Sequence, residues 1–359
     1  MKKHHYLYSL VYRFNLLVIF YVVLSVSTLA QSPGPTEARL LMGGNYPDPT
    51  ILKHDGIYYM THSSFNFRPG LLIWQSKDLK IWSPLTYALK NFDGNVWAPD
   101  LIEHKGRFYI YFPSAVNGKY DNYVVTAEKI EGPWSEAQSL GVGHIDPGHV
   151  VGDDGKRYVH LSGGYVSELS KDGLRAIGKP EKIMEGWPIP EDWAIECFCL
   201  ESPKLTKLND WYYLTAAQGG TFGPATSHML TAFRSKTPVG PWESSPYNPV
   251  IHTWSKSEDW WSKGHGTLVE GPNQQWFSVL HGIPNGYRTL GRATLINPLS
   301  GAIMIGTMYL RNGHRDGKSL VLLICHKVMN LKGKYWVFNG SFMKRMMYNG
   351  SGSRMVRWL

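Results

Sequence analysis

Short apolar stretches, each broken by a turn of Gly, Asp or Asn, run along the chain from Asp48 to Leu280. Few segments keep the three-to-four-residue apolar spacing of a helix, whereas aromatic and β-branched runs bounded by turn residues are frequent, and they predict strands. One unit recurs, as "DPTILKHDGIYYMT" from Asp48, "APDLIEHKGRFYIYF" from Ala98, "DPGHVVGDDGKRYVHL" from Asp146, "SPKLTKLNDWYYLT" from Ser202 and "HGTLVEGPNQQWFSVL" from His265. Each reads as an apolar strand, a turn and a second aromatic strand, a hairpin. Units of strands that begin roughly every fifty residues predict a β-propeller. A second module, "SKDLKIWSPL" at Ser76, "AEKIEGPWSEA" at Ala127 and "RSKTPVGPWESSP" at Arg234, ends in Trp before a polar turn and predicts the outer strands. The expectation is an all-β, five-bladed β-propeller from Asn45 to Pro298, with the fifth blade incomplete if the atypical sequence after Pro298 fails to supply its outer strands. A two-sheet sandwich also uses short strands, but it gives no reason for five similar hairpins.

The ends of the chain differ from this body. Residues 1–30 carry a basic start, an apolar run from Leu16 to Val26 and small residues at Thr28 and Ala30, the pattern of a secretory signal cleaved after Ala30. Because the fully apolar run is shorter than the ~20 residues a spanning helix needs, a retained anchor is the weaker reading. The mature chain is expected to be secreted or periplasmic, without stable membrane insertion, and residues 31–44 read as a linker. The net charge of +9 is concentrated in residues 299–359, where ten Lys/Arg face one acid, Asp316. That basic tail reads either as a frameshifted or truncated ending or as a genuine basic surface segment. It lacks the interleaved aromatics of a nucleic-acid surface, so no nucleic-acid partner is expected.

The three cysteines do not form a disulfide-scaffold pattern. Cys197 and Cys199, two apart on an expected strand, predict buried thiols, because same-face neighbours on one strand have poor geometry for a disulfide.

Candidate chemistry follows from the repeat. Residues that begin the innermost strand of each blade meet around one mouth of the axis, and those positions are Asp48, Ala98, Asp146, the Glu201-Ser202 pair and His265. Three sequence-distant carboxylates, Asp48, Asp146 and Glu201, are thereby expected in one pocket, where mutual repulsion and desolvation keep a proton on one of them. Taken singly each has an ordinary explanation: Asp-Pro is turn chemistry, and Glu201 could pair with Lys204. Asp55, Asp153, Asp154 and Asp172 fall at Gly-containing hairpin tips and read as structural, while Glu191, Asp192 and Glu196 are nearby competitors for Glu201. Two carboxylates of unequal protonation, in a cleft lined by Phe65, Trp74, Trp97 and Phe222, suit hydrolysis of a glycosidic bond. That chemistry requires no cofactor, and no phosphate loop, HExxH or Gly-x-Ser-x-Gly motif is found.

The motifs "NYPDPT" at Asn45, "THSSF" at Thr61, "WAPDL" at Trp97, "IDPGHVVGDDGKRY" at Ile145, "ESPKL" at Glu201 and "KGHGTLVE" at Lys263 together resemble glycoside hydrolase family 43. The resemblance covers roughly Asn45 to Asn297. It implies a five-bladed propeller acting on hemicellulose-derived xylan or arabinan oligosaccharides with inversion, with Asp48 as general base, Glu201 as general acid and Asp146 orienting and tuning the acid. It further implies Phe65 and Trp97 as sugar contacts, beside Phe222 expected from the cleft, Arg292 on the sugar hydroxyls, and a structural calcium near the axis at His265. Arg288 reads as an ordinary surface charge. The alternatives are a non-catalytic glycan-binding propeller and a fructan-type retaining hydrolase that uses Glu196 in its Glu-Cys pair.

Overall fold

The structure, a computed structural model, describes residues 38–299. The expected signal segment and all but the first residue of the basic tail lie outside the described residues. Among the described residues no helix is long and apolar enough to cross a membrane.

Five antiparallel sheets follow one another along the chain, each starting with one of the predicted hairpins. Blade one comprises Thr50–His54, Ile57–Thr61, Gly70–Ser76 and Ser83–Leu89; blade two comprises Asp100–His104, Arg107–Val116, Lys119–Ala127 and Gln138–Ser139, with Asn95–Val96 added beside Arg107–Val116. Blade three is built from Gly148–Val151, Arg157–Leu161, Tyr165–Leu169 and Ala176–Lys182. Blade four is built from Leu200–Leu208, Trp211–Gln218, Met229–Ser235 and Glu243–Ser244, with Ile251–His252 alongside. Blade five contains Trp260–Glu270, Trp276–Pro284 and Ala293–Pro298. Its fourth strand is Arg39–Met42, paired antiparallel with Ala293–Pro298. The fifth blade is therefore four-stranded, and its outer strand comes from the segment read in sequence as a linker. This pairing joins the first described strand to the last and closes the ring.

The blades are held by apolar faces pressed against their neighbours. Leu71 and Ile73 of blade one pack with Ile110 and Phe112 of blade two; Tyr111 and Val124 of blade two pack with Val159 and Leu161 of blade three. Leu230 and Ala232 of blade four meet Leu280 and Leu295 of blade five, and Val279 and Ile296 of blade five meet Tyr58 and Met60 of blade one. Burial of each such side chain stabilises by about 1.5–3 kcal/mol. The Trp-containing modules are mostly turns, which in blades one and four run into the outermost strand. Trp82 directly precedes the outermost strand of blade one and Trp242 that of blade four, while Trp134 donates its indole N–H to the Ile130 carbonyl (3.1 Å).

The axis is filled by polar groups from the innermost strands. The Lys204 ammonium donates to the Pro99 and Pro147 carbonyls (2.8 and 3.0 Å) and to Asp100 Oδ1 (3.1 Å), while Asp100 Oδ2 accepts the His149 N–H (2.7 Å). Lys204 thus pairs across the axis with Asp100 and not with the nearby Glu201. Gly148 is required where blades three and four meet, because a Cβ there would collide with the Pro203 carbonyl.

Candidate active site

The five equivalent starting residues share one backbone feature. Asp48, Ala98, Asp146, Ser202 and His265 all have positive φ, between 24° and 58°. Non-glycine residues seldom adopt this region, at a cost of order 1–3 kcal/mol each, and such strain clusters at functional sites. Four of them precede a proline, and the turn they make delivers the strand ends to one mouth.

Asp48 is the centre of that mouth. Its two carboxylate oxygens receive Arg292 Nη1 and Nη2 at 2.8 and 3.3 Å, and the Ser63 hydroxyl donates to Oδ2 at 2.5 Å. His281 Nδ1 lies 3.1 Å from Oδ1 and His265 Nδ1 3.5 Å from it. Burial alone would push this carboxyl up, but Arg292, followed by His265 and His281, pulls it well below the usual carboxylate range. Burial drives His265 down to about 3 and lowers His281 as well, so both imidazoles are neutral near pH 7. Among the described residues the guanidinium is therefore the one full positive charge touching Asp48, and Asp48 is ionised.

The other two carboxyls are shifted the opposite way. Asp146, fully buried, is pushed well above its ordinary value by desolvation, then by the Glu201 and Asp48 charges. Glu201 is raised by burial and by Asp48, with a further contribution from Glu196. A coupled pair of this kind retains a proton at a pH where an isolated carboxyl has lost it. Asp146 Oδ2 also accepts the Ser202 N–H at 3.1 Å, which fixes the peptide next to Glu201. One ionised carboxylate and a proton-holding pair are thus gathered from blades one, three and four.

The surrounding residues sort into two cavities. One, of about 400 Å³, lies on the Asp48 side and is lined by Asn45, Phe65, Phe222, Arg288 and Arg292 among others. Phe222 is 57 % exposed, and its ring faces the Arg292 guanidinium at 5.5 Å. Arg288, exposed as expected of a surface charge, lines this cavity and donates to the Gly223 carbonyl (2.5 Å). The second, of about 330 Å³, opens beside Glu201 and is lined also by Ser162, Lys182 and Phe198. Trp97 precedes Ala98 as Glu201 precedes Ser202, which puts it on the same rim, stacked on Tyr120 at 5.9 Å. Trp74 lines neither cavity and packs edge-on against Tyr46 at 5.8 Å.

Glu196 has a different task from the one considered in sequence. It is exposed, and its carboxylate accepts the Phe222 N–H at 2.7 Å, holding the loop that carries the aromatic wall. The expectation of free thiols nearby is overturned: Cys197 and Cys199 form a disulfide with Cα atoms 5.2 Å apart. The reason is that residues 195–199 are irregular rather than strand, so the extended same-face spacing that would hold the two sulfurs apart does not apply. Sequence reading also passed over Ser63 and His281. Both lie two residues beyond the partner of the third innermost-strand position, and "THSSF" and "VLHGIP" show them only once that register is known.

Asp48, His265 and His281 place one ligand atom each within 4.8 Å of one another, the only such group found among the described residues. These donors do not fit calcium, which takes six to eight oxygens. Two are imidazole nitrogens, the single carboxylate is already engaged by Arg292 and Ser63, and the axial carbonyls of Pro99 and Pro147 are taken by Lys204.

Fold and site together define a five-bladed propeller with three interacting carboxyl groups gathered at one end of its axis. The chain belongs to the glycosyl hydrolases family 43, whose profile matches residues 40–300. It is 34% identical over 282 residues to a xylan 1,3-beta-xylosidase from a Vibrio species, covering 70% of this chain and 49% of the relative. It is 30% identical over 314 residues to a non-reducing end alpha-L-arabinofuranosidase from Bacteroides ovatus, covering 79% and 55% respectively. Among solved structures, a family 43 protein from Bacillus licheniformis superposes with a TM-score of 0.64 at 31% identity, covering 73% of this chain and 54% of that one. The chain spans about half the length of the curated relatives it matches.

Proposed function

We propose that this protein is a glycoside hydrolase that releases xylosyl or arabinofuranosyl units from xylan- or arabinan-derived oligosaccharides with inversion at the anomeric carbon. The observation that carries the reading is the opposite displacement of the carboxyls: Arg292 keeps Asp48 ionised, while burial and mutual repulsion keep a proton on the Glu201–Asp146 pair. Asp48 takes a proton from water as its oxygen bonds to the anomeric carbon. Glu201 gives its proton to the departing glycosidic oxygen as that bond breaks. Asp146 shares the retained proton with Glu201 and, through the Ser202 N–H, fixes the peptide next to the acid. Relatives named for both xylose and arabinofuranose release support the substrate class. A disulfide is at home in an oxidising compartment, which supports export.

The test is proton NMR of the first sugar released from aryl β-xyloside and aryl α-L-arabinofuranoside. Inversion predicts α-xylose or β-arabinofuranose as the initial anomer, whereas the β-xylose or α-arabinofuranose anomer would refute the assigned roles. Loss of turnover in both Asp48→Asn and Glu201→Gln is the accompanying expectation.

A further inference from the structure

The acid-side cavity contains a feature that catalysis by the three carboxyls leaves unexplained. Phe198 is 76 % exposed, lines the same 330 Å³ cavity as Glu201, and is the middle residue between the disulfide-linked Cys197 and Cys199. A large aromatic ring left in water forfeits the burial that normally stabilises it, and here its backbone is fixed at some structural expense. The disulfide closes a three-residue ring that restricts the backbone on both sides of Phe198. That ring is tied to blade four from below: Gly219 N–H donates to the Cys199 carbonyl (3.3 Å), and the Gly219 carbonyl accepts the N–H groups of Glu196 and Cys197 (3.0 and 3.3 Å). Gly220 lies so close beneath that a Cβ there would meet Cys197 Sγ at 2.9 Å. The long excursion that leads to it is pinned as well, with Gln218 bonded to both the N–H and the carbonyl of Trp187 at 2.9 Å.

The position of this ring relative to the acid decides its use. The proton donor in a glycosidase stands on the side from which the leaving group departs. A cavity that contains Glu201 and none of the Asp48-side lining therefore receives the leaving group, not the unit being released. Its remaining polar edge is Ser162 and the Lys182–Glu185 ion pair (2.7 Å), groups that suit hydroxyls rather than a charged or apolar aglycone. An exposed aromatic ring on a braced backbone, in one cavity with these polar groups, matches a sugar ring, which has C–H groups on its face and hydroxyls on its rim.

We propose that Phe198, braced by the Cys197–Cys199 disulfide, is the platform for the sugar residue on the leaving-group side of the scissile bond, so that the enzyme favours glycosides whose leaving group is itself a sugar ring. The proposal rests on the assignment of Glu201 as the acid. Pre-fixing the aromatic face removes the ordering cost that a mobile loop would impose on binding.

The readout is the ratio of kcat/KM for a disaccharide of the released sugar to kcat/KM for its methyl glycoside, which lacks the second ring. Phe198→Ala is expected to lower that ratio about tenfold, the scale of one lost aromatic contact face, and Phe198→Tyr to restore it. The double substitution Cys197→Ser with Cys199→Ser is expected to lower the ratio in the same direction by a smaller factor. A ratio unchanged in Phe198→Ala, with the wild type active on both substrates, overturns the proposal and leaves the hydrolase reading intact. A folded wild type that releases sugar from neither glycoside overturns the hydrolase reading and the proposal with it. Phe198 is exposed, so its truncation leaves the core untouched and the comparison is made on a folded protein.

Discussion

Replacing Arg292 by Met tests the assignment of Asp48 as the base through the quantity the structure most directly controls. Arg292 contacts both Asp48 oxygens, at 2.8 and 3.3 Å, and is the only full positive charge to do so among the described residues. An Arg beside an Asp lowers its pKa by about 1–3 units, equivalent to about 1.4–4 kcal/mol. The upper end agrees with the ~4 kcal/mol expected of unit charges 4 Å apart at an effective dielectric constant of 20. Because Ser63 and His281 remain in place, the carboxyl does not revert to that of a bare buried acid. The acidic limb of kcat/KM against pH, which reports the base in the free enzyme, is therefore expected to move up by about 1–3 units in Arg292→Met and by less in Arg292→Lys. The assay is hydrolysis of an aryl glycoside with a good leaving group, from about pH 3 to pH 8, so that the Glu201 proton contributes little to the profile. The same linkage acts on stability. Asp48, with its folded pKa depressed, stabilises the fold above its unfolded value, and that contribution is lost as pH falls through the folded value. An acidic limb of Arg292→Met that coincides with the wild type, in protein shown to be folded by near-ultraviolet circular dichroism, refutes the claim that Arg292 sets the charge on Asp48.

Glu201→Gln is expected to lower kcat by about 10²- to 10⁴-fold on unactivated glycosides and by much less on dinitrophenyl ones, since only the former need the proton; Glu196→Gln is expected to raise KM with kcat nearly kept, and the reverse pattern would move the acid to Glu196. Asp146→Asn is expected to reduce activity while stabilising the protein. A raised folded pKa contributes stability below the unfolded carboxylate value that is lost as pH rises through the folded one, so the gain from the substitution appears at neutral pH, about 2–4 °C in Tm per kcal/mol, and vanishes near pH 3. Thermal scans at the two pH values check it, and an equal shift at both would contradict the buried-charge argument. Lys204→Met leaves Asp100 without its cation and is expected to cost about 3–5 kcal/mol, with much of the loss recovered when Asp100 is replaced by Leu in the same chain. Urea midpoints decide the point, and additive losses would show that the pair is not coupled.

The blades were legible because each repeats the same local instruction. Strand, Gly- or Asp-containing turn and aromatic strand lie adjacent in sequence, and the Pro after Asp48, Ala98, Asp146 and Ser202 marks the same position in four blades. The carboxylates were legible for the same reason: equivalence within the repeat places Asp48, Asp146 and the residue before Ser202 at one mouth without any knowledge of the distances between them. What stayed hidden was pairing between blades. Arg39–Met42 looks like a linker because its partner strand ends near residue 298, and nothing local distinguishes a short exposed stretch from a closing strand. Lys204 looks like a partner for Glu201, three residues away, until the axis places Asp100 beside it. The disulfide was missed because strand periodicity was extended back through residues 195–199, where the chain has not yet entered the sheet at Leu200.

These misses share a physical cause that bears on the site itself. A repeat tells where each strand begins, but the charge state of a residue there depends on what the neighbouring blades bring to it. Asp48 and Asp146 begin equivalent strands and are both followed by Pro. One is held ionised by a guanidinium from blade five, while the other, among carboxyls and with no such partner, is pushed toward the protonated form. Two residues equal in the sequence pattern thus become unequal in chemistry through contacts that span 244 positions in one case and 56 in the other. The difference in charge between them is a property of the closed ring: the guanidinium that holds Asp48 ionised stands at the start of a strand flanked by Arg39–Met42 on one side and Trp276–Pro284 on the other.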